Sequence, residues 1–185
     1  GEDSNPALSY VATATVDIAD FSWVQSGLEA RAYVSLNGDL TADMTLDADT
    51  RYLLDDVFTV KSGITLTIPA GTKITALDGG ASIYIAVEKG ATINVNGTED
   101  NPVVMGSLNG NRGDWGGLVV CGDATTTEGI DATAEVGGLV YGGSTDNDDS
   151  GDITNLVIIG AGAQINADSQ FNGLTLYAVG SETTV

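Results

Sequence analysis

The chain has 185 residues, of which 42% are hydrophobic, 25 are glycine and only 6% are aromatic. This length favours one domain, and the apolar content argues against intrinsic disorder. Six basic and 26 acidic residues give a net charge of −20, which disfavours nucleic-acid partners because phosphate binding requires Lys and Arg. Histidine is absent, so His-based catalytic triads and His-ligated metals are excluded. No apolar run approaches the roughly 20 residues of a transmembrane helix.

The N-terminal quarter differs from the rest of the chain. Residues 1–8 are polar and rich in turn formers, and we expect a flexible tether there; a start without Met indicates a processed form or a fragment. Residues 9–46 predict a small N-terminal β cap. Within it, residues 30–46 read as strand, turn and strand, because Asn37-Gly38 is a strong tight-turn signal.

A first internal repeat follows. The string VKSGITLTI at 60–68 is echoed by VEKGATINV at 87–95, at a constant offset of 27 residues. Each copy has an apolar residue, a turn with glycine and an alternating strand. Parallel stacking of like strands requires such an offset, because each strand pairs with its copy one coil further along.

A second repeat has four copies, which read GGLVVCG at 116–122, GGLVYGG at 137–143, TNLVIIG at 154–160 and NGLTLYA at 172–178. Their aligned leucines, Leu118, Leu139, Leu156 and Leu174, predict one stacked interior column. Short β-rich strands recurring every 17 to 27 residues favour a solenoid over an antiparallel sandwich. We therefore predict an all-β fold, a right-handed parallel β-helix, with coils over residues 47–185.

Several of these strings resemble a known group of proteins. The segment from YLLD at 52–55 to the lysine and isoleucine at 73–74, together with GDWGGL at 113–118 and FNGLTL at 171–176, is similar to secreted parallel β-helix repeat proteins of marine and other Gram-negative bacteria, many of them lipoprotein-like. The resemblance covers residues 34–185. It implies the fold and an extracellular or cell-surface location, and it carries over no catalytic residue.

The acidic run at 146–152 is the strongest chemical candidate. Its oxygen-bearing side chains at alternate positions, Asp146, Asp148, Ser150 and Asp152, resemble the start of a calcium loop, although Val157 stands where an EF-hand needs a bidentate Glu. A looser Ca²⁺ site between coils is one interpretation of this run. A solvated turn is the other.

Two features suggest an interface. If the four leucines point inward, Val119, Val140 and Val157 form an outward apolar strip, which marks either an interface or ordinary β-branched strand residues. The chain also stops within a strand-like segment, where Thr183 and Val185 would offer unpaired backbone groups to another chain.

These observations favour a non-enzymatic extracellular structural or surface protein that self-associates end to end into a filament or surface layer. The alternative is a carbohydrate-binding or polysaccharide-degrading β-helix module, with a polysaccharide as partner. Basic residues are scarce, and Lys61 and Lys89 either form a small positive spot or offset local acidity. The lone Cys121 lies in an apolar run and reads as a small core residue.

Overall fold

The computed structural model describes residues 33–185, which contain fourteen β-strands and no helix. The strands are β1 (Tyr33–Leu40), β2 (Met44–Thr45), β3 (Arg51–Val60), β4 (Thr65–Pro69), β5 (Lys73–Ala76), β6 (Ile85–Val87), β7 (Thr92–Asn96), β8 (Val103–Ser107), β9 (Leu118–Cys121), β10 (Ala132–Thr133), β11 (Val140–Tyr141), β12 (Ile153–Thr154), β13 (Leu156–Ile159) and β14 (Leu174–Tyr177). All their pairings are parallel except that of β10 with β11. The predicted parallel β-helix is confirmed.

The strands stack into three ladders that share one apolar interior. The smaller sheet has the order β12-β7-β4-β2, and the larger sheet has the order β13-β8-β5-β3-β6-β9-β14, with β1 on β3. The larger sheet divides at β3, because residues 51–54 pair with β5 whereas residues 58–60 pair with β6. The long strand β3 therefore sets the register of two ladders at once.

The 27-residue repeat is confirmed by the register of the smaller sheet. Thr65 pairs with Thr92, and Leu66 pairs with Ile93. Leu66, Ile68, Ile93 and Val95 are fully buried, while Thr67 and Asn94, which lie between them in the two strands, are half-buried. Alternation with period two thus directs one face of each strand to the core.

The predicted column of four leucines is wrong. Leu118 and Leu174 do pair directly, between β9 and β14. Leu156 instead pairs with Val103 in the neighbouring ladder, and Leu139 packs outside the interior, between β10 and β11 and directly before β11. The four similar strings therefore lie in three structural settings, because loops of unequal length separate them.

The predicted turn at Asn37-Gly38-Asp39 is also absent. Strand β1 continues through these residues and pairs with β3 on both sides of a register shift between Leu36 and Gly38. Gly38 accommodates the irregularity with a φ of +66°. Residues 1–32, which include the predicted tether and most of the predicted cap, lie outside the described residues.

An insertion at residues 122–151 interrupts the coil that contains β9 and β12. The coil resumes in register after it, since Ile153 pairs with Val95 of the coil below. The insertion carries β10 and β11 and shapes the surface beside β9 and β14.

Candidate functional site

The outer face of β6 and β9 is covered rather than solvated. Ala86, Val119 and Cys121 belong to a second apolar cluster, which also contains Tyr84, Val136, Ala163 and Phe171. Val136 comes from the insertion, and Ala163 and Phe171 come from the loop between β13 and β14. All four residues of β9 are consequently buried, whichever face of the strand they occupy.

Cys121 is a buried residue of this outer cluster, as its apolar surroundings in the sequence predicted. Burial raises the pKa of its thiol to about 12, and the negative charge of Glu88 adds to the shift. A reactive cysteine requires a lowered pKa and access to solvent. Cys121 therefore fills space and supplies no nucleophile.

Lys89 connects the coils to the insertion. Its Nζ lies 3.4 Å from Asp123 Oδ1, also contacts the carboxylate of Asp131, and donates a hydrogen bond to the carbonyl oxygen of Gly142 at 3.2 Å. Hydrogen bonding to Asp131 and Asp123 raises the pKa of Lys89. The pKa of Asp123 is lowered, first by a hydrogen bond from Thr145 and then by Lys89. The ammonium group of Lys89 is therefore engaged in contacts within the fold. The same holds for Lys61, which pairs with Glu88 and whose Nζ lies 3.9 Å from Asp39 Oδ2.

A polar cleft of about 400 Å³ lies between the insertion and the loop at residues 160–173. Seven of its eight lining residues are polar, namely Glu135, Gln164, Asn166, Asp168, Ser169, Gln170 and Asn172, and the eighth is Ala167. Sequence analysis missed this site. The available signal was the concentration of amide side chains in the nine residues from 164 to 172, within a loop too long for a simple turn.

An aromatic pair lies next to this cleft along the insertion. The rings of Tyr141 and Tyr177 stack with centroids 4.8 Å apart and an interplanar angle of 27°. Glu135, a lining residue of the cleft, lies close enough to Tyr177 to influence the pKa of its phenol. Desolvation is the largest cause that raises the pKa of Tyr177.

The side chains of the predicted calcium ligands form hydrogen bonds with protein groups. Asp146 accepts one from the backbone N–H of Thr125, Asp148 accepts one from the hydroxyl of Ser150, and Asp152 contacts the hydroxyl of Thr184. Ser150 is buried. Within residues 33–185, no group of three or more His, Cys, Asp or Glu side chains is arranged to hold a metal ion. These side chains thus hold the segment at 146–152 to itself, to Thr125 and to Thr184, and calcium binding by this segment stays a prediction.

The predicted valine strip does not form. Val119 is fully buried under the insertion, Val140 lies in the insertion itself, and Val157 pairs with Val104 in a different ladder. The reason is the same unequal loop length that separates the leucines. Val140 and Val157 are 44% and 40% exposed, so each is available singly to solvent but not as one surface.

The last described coil presents an apolar surface along the helix axis. Strands β13 and β14 each pair on one side only within the described chain. An apolar cleft of about 370 Å³ opens there, lined by Ile153, Asn155, Leu156, Ile158, Leu174 and Val185. Val185 is 72% exposed, whereas the hydroxyl of Thr183 accepts a hydrogen bond from the Ser150 N–H at 2.9 Å. Of the two residues predicted at the end of the chain, Val185 therefore lines this surface, whereas the Thr183 side chain is hydrogen-bonded to the backbone of Ser150.

Within the part of the chain that the structure describes, no helix has the length and apolar character to cross a membrane.

Comparison with known proteins bears on the coils and not on the clefts. The chain matches no curated protein and no solved structure significantly. A family model described as a pectate-lyase-like β-helix domain matches residues 38–185. That match spans every described strand from the middle of β1 to β14. Parallel ladders, a shared apolar interior and this match agree, and the chain belongs to the pectate-lyase-like β-helix domain family.

Proposed function

We propose that this chain is a non-enzymatic structural solenoid that associates end to end through its last described coil. The observation that carries the proposal is the apolar cleft at Leu156, Ile158 and Leu174, beside two strands that each pair on one side only within residues 33–185. A further β-coil placed there gains backbone hydrogen bonds and buries apolar side chains. The occupant we propose is a second copy of the chain.

The ionisable groups support a structural role over catalysis. Lys61 and Lys89 are held by carboxylates, which raises the pKa of each. The carboxyl pKa shifts at Asp55, Asp123 and Asp146 are all downward and come chiefly from hydrogen bonds. A glycosidase needs a carboxylic acid with a raised pKa, and a lyase needs a general base that is not held in an ion pair. The shifts at these lysines and aspartates match neither requirement.

Symmetry separates two modes of association. A head-to-tail contact leaves the same end open on the next copy and propagates into a filament, whereas a contact between two identical ends closes as a dimer. A charge of −20 per chain opposes either contact, so we expect assembly to require salt. Light scattering and electron microscopy of the chain across a salt series distinguish filament, dimer and monomer. A monomer at every salt concentration would contradict the proposal.

Two matched variants locate the contact. Ile158→Lys places a charge in the apolar cleft of the last coil, and Val140→Lys places the same charge on an exposed valine of the insertion. We expect Ile158→Lys to abolish assembly and Val140→Lys to preserve it. Equal assembly of the two variants would show that the contact between copies does not lie at the last coil.

The same series tests the predicted calcium dependence. Calcium chloride and sodium chloride are compared at equal ionic strength, because screening alone acts equally in both. Assembly at lower ionic strength in calcium, lost in the variant Asp146→Asn/Asp148→Asn, would support a cation site in the turn at 146–152. Identical assembly curves in the two salts would mean that calcium acts only by screening charge.

We also propose that the chain acts at the cell exterior. Its acidic surface suits saline surroundings, and its sequence resembles secreted proteins. Fractionation of the native host, with detection by an antibody against the chain, tests the location. Recovery from the cytosolic fraction alone would contradict it.

A polysaccharide-directed module is the second candidate, favoured by family membership and by the polar cleft at Gln164, Gln170 and Asn172. Incubation with a panel of polysaccharides, followed by assay for new unsaturated or reducing ends, tests degradation. Binding without new ends would favour a carbohydrate-binding protein over an enzyme.

A further inference from the structure

The side chains that line the polar cleft beside the insertion favour a ligand rich in hydroxyl groups. Four of its eight lining residues are amides, Gln164, Asn166, Gln170 and Asn172, and no Lys or Arg lines it. An amide side chain offers both hydrogen-bond donors and an acceptor, which matches the hydroxyl groups of a sugar in either role. With one alanine in the lining, the cleft offers little to an apolar side chain or an acyl chain.

The loop that forms the cleft is held in shape by its own hydrogen bonds. Asn166 Oδ1 accepts bonds from the backbone N–H groups of Asp168 and Ser169, both at 2.9 Å. Gln164 and Gln170 form an antiparallel bridge across the loop. Phe171 is buried against Tyr84 with ring centroids 4.9 Å apart, which anchors the base of the loop. A cleft organised before binding loses less entropy when a ligand arrives.

The side chains needed for recognition remain available. Gln170 and Asn172 make no side-chain hydrogen bond to any residue in the range 33–185, and both are exposed. The amide nitrogen of Gln164 donates to the carbonyl of Asn166 at 2.9 Å, which leaves its oxygen as an acceptor. Glu135 and Asp168 add two exposed carboxyl groups to the lining.

These carboxylates determine the charge of the ligand. An anionic sugar, such as a uronate, would meet two like charges with no cation in the lining, on a chain whose net charge is −20. An uncharged sugar meets no such repulsion.

We propose that the cleft binds an uncharged oligosaccharide and discriminates against uronates. This inference rests on the second candidate function, of which it names the ligand class, and it is independent of end-to-end association. It requires binding and no bond cleavage.

NMR titration of the isotope-labelled chain tests the proposal. The probes are cellohexaose, laminarihexaose and mannohexaose as uncharged ligands, with hexagalacturonate as the charged one, each at about 1 mM or above. We expect at least one uncharged hexasaccharide to shift the side-chain amide resonances of Gln164, Gln170 and Asn172, and hexagalacturonate to shift them at least tenfold less. No shift with any uncharged probe, or equal shifts with hexagalacturonate, overturns the proposal.

Variants make the assignment specific. Gln170→Ala/Asn172→Ala should weaken binding at least tenfold, whereas Asn96→Ala should leave it unchanged, because Asn96 is an exposed residue of the smaller sheet that does not line the cleft. Glu135→Gln/Asp168→Asn should reduce the discrimination against hexagalacturonate. Binding that survives the double alanine variant with a dispersed, native-like spectrum overturns the assignment to this cleft. If binding occurs but no polysaccharide is cleaved, the enzymatic form of the second candidate fails and this inference stands.

Discussion

The ammonium group of Lys89 lies 3.4 Å from Asp123 Oδ1, so one side chain of the coil stack holds the beginning of the insertion. The same group reaches Asp131 and the carbonyl oxygen of Gly142, two points further along the insertion. Cys121 directly precedes the insertion and is buried in the outer apolar cluster together with Val136 of the insertion. The cover over Cys121 is thus fastened partly by electrostatic contacts at the surface.

Replacing Lys89 should loosen that cover. We expect Lys89→Gln to speed the reaction of Cys121 with a maleimide by about fivefold, since partly exposed ion pairs contribute up to about 1 kcal/mol. Cys121 is the only cysteine in the chain, so the labelling rate reports this site alone. Lys73→Gln is the control, because Lys73 forms no ion pair within residues 33–185. Equal rates for the two variants would show that Lys89 does not fasten the insertion.

Alkaline pH should destabilise the fold in a way that depends on Cys121. Its thiol has a pKa of about 12 in the folded chain, above the ordinary value of 9.0. Above pH 9.0 the unfolded chain releases a proton that the folded chain retains, so the free energy of unfolding falls as pH rises towards 12. We expect Cys121→Ala to reduce this fall by about 2 to 3 kcal/mol between about pH 8 and pH 11.

Urea unfolding at several pH values measures that difference as a change in slope, which separates it from any constant loss of packing. Part of the alkaline fall should persist in the variant, because burial also raises the pKa values of Tyr84 and Tyr177. Parallel pH profiles of variant and parent would contradict the prediction.

Two glycines with similar backbone angles should tolerate alanine very differently. Gly151 has a φ of +110°, and an added Cβ would lie 2.0 Å from the carbonyl oxygen of Ile93. Gly129 has a φ of +92°, with nothing within 4 Å of the added atom. We expect Gly151→Ala to cost about 3 kcal/mol or more and Gly129→Ala about 1 kcal/mol, the strain of positive φ alone. Similar losses of unfolding free energy would mean that the coils do not approach so closely at Gly151.

Replacing Thr175 or Thr72 with valine should change the free energy of unfolding in opposite directions. Thr175 Oγ1 is buried and has no hydrogen-bond partner within the described chain, whereas Thr72 Oγ1 donates to the carbonyl of Pro69 at 2.7 Å. Thr175→Val removes an unsatisfied polar group and should stabilise the chain by about 0.5 to 1 kcal/mol. Thr72→Val breaks a hydrogen bond and should destabilise it by about 1 kcal/mol. Thermal unfolding of both variants measures the contrast, and a destabilised Thr175→Val would contradict it.

Sequence predicted the fold where the coil length stays constant. Thr65 and Thr92 are 27 residues apart and pair directly, so the spacing of the first repeat gave the true register. In the neighbouring ladder Lys73 pairs with Val104, 31 residues later, and Val104 pairs with Val157, 53 residues later. A constant step cannot describe such coils, which is why similarity of strings placed Leu139 and Leu156 wrongly.

Burial on the outer face was equally hard to predict. Alternation along β9 assigns Leu118 and Val120 to the interior, which is correct, and leaves Val119 and Cys121 outside. Only the path of the insertion decides that the outside is covered there. Trp115 shows the same limit, because the string GDWGGL at 113–118 does not indicate on which side of the coil the indole lies. The side chain is fully buried, and its Nε1 donates to the carbonyl of Ile159 in the next coil at 2.9 Å.

The insertion at residues 122–151 leaves the spine after β9 and rejoins it at β12, and the rungs on either side keep their partners. Its length is therefore uncoupled from the register of the rungs. The exposed turn at residues 127–130 of the insertion can therefore change in length or sequence while Val136 and Gly151 keep their contacts with the coils. The same turn is the place to graft a foreign peptide onto the solenoid.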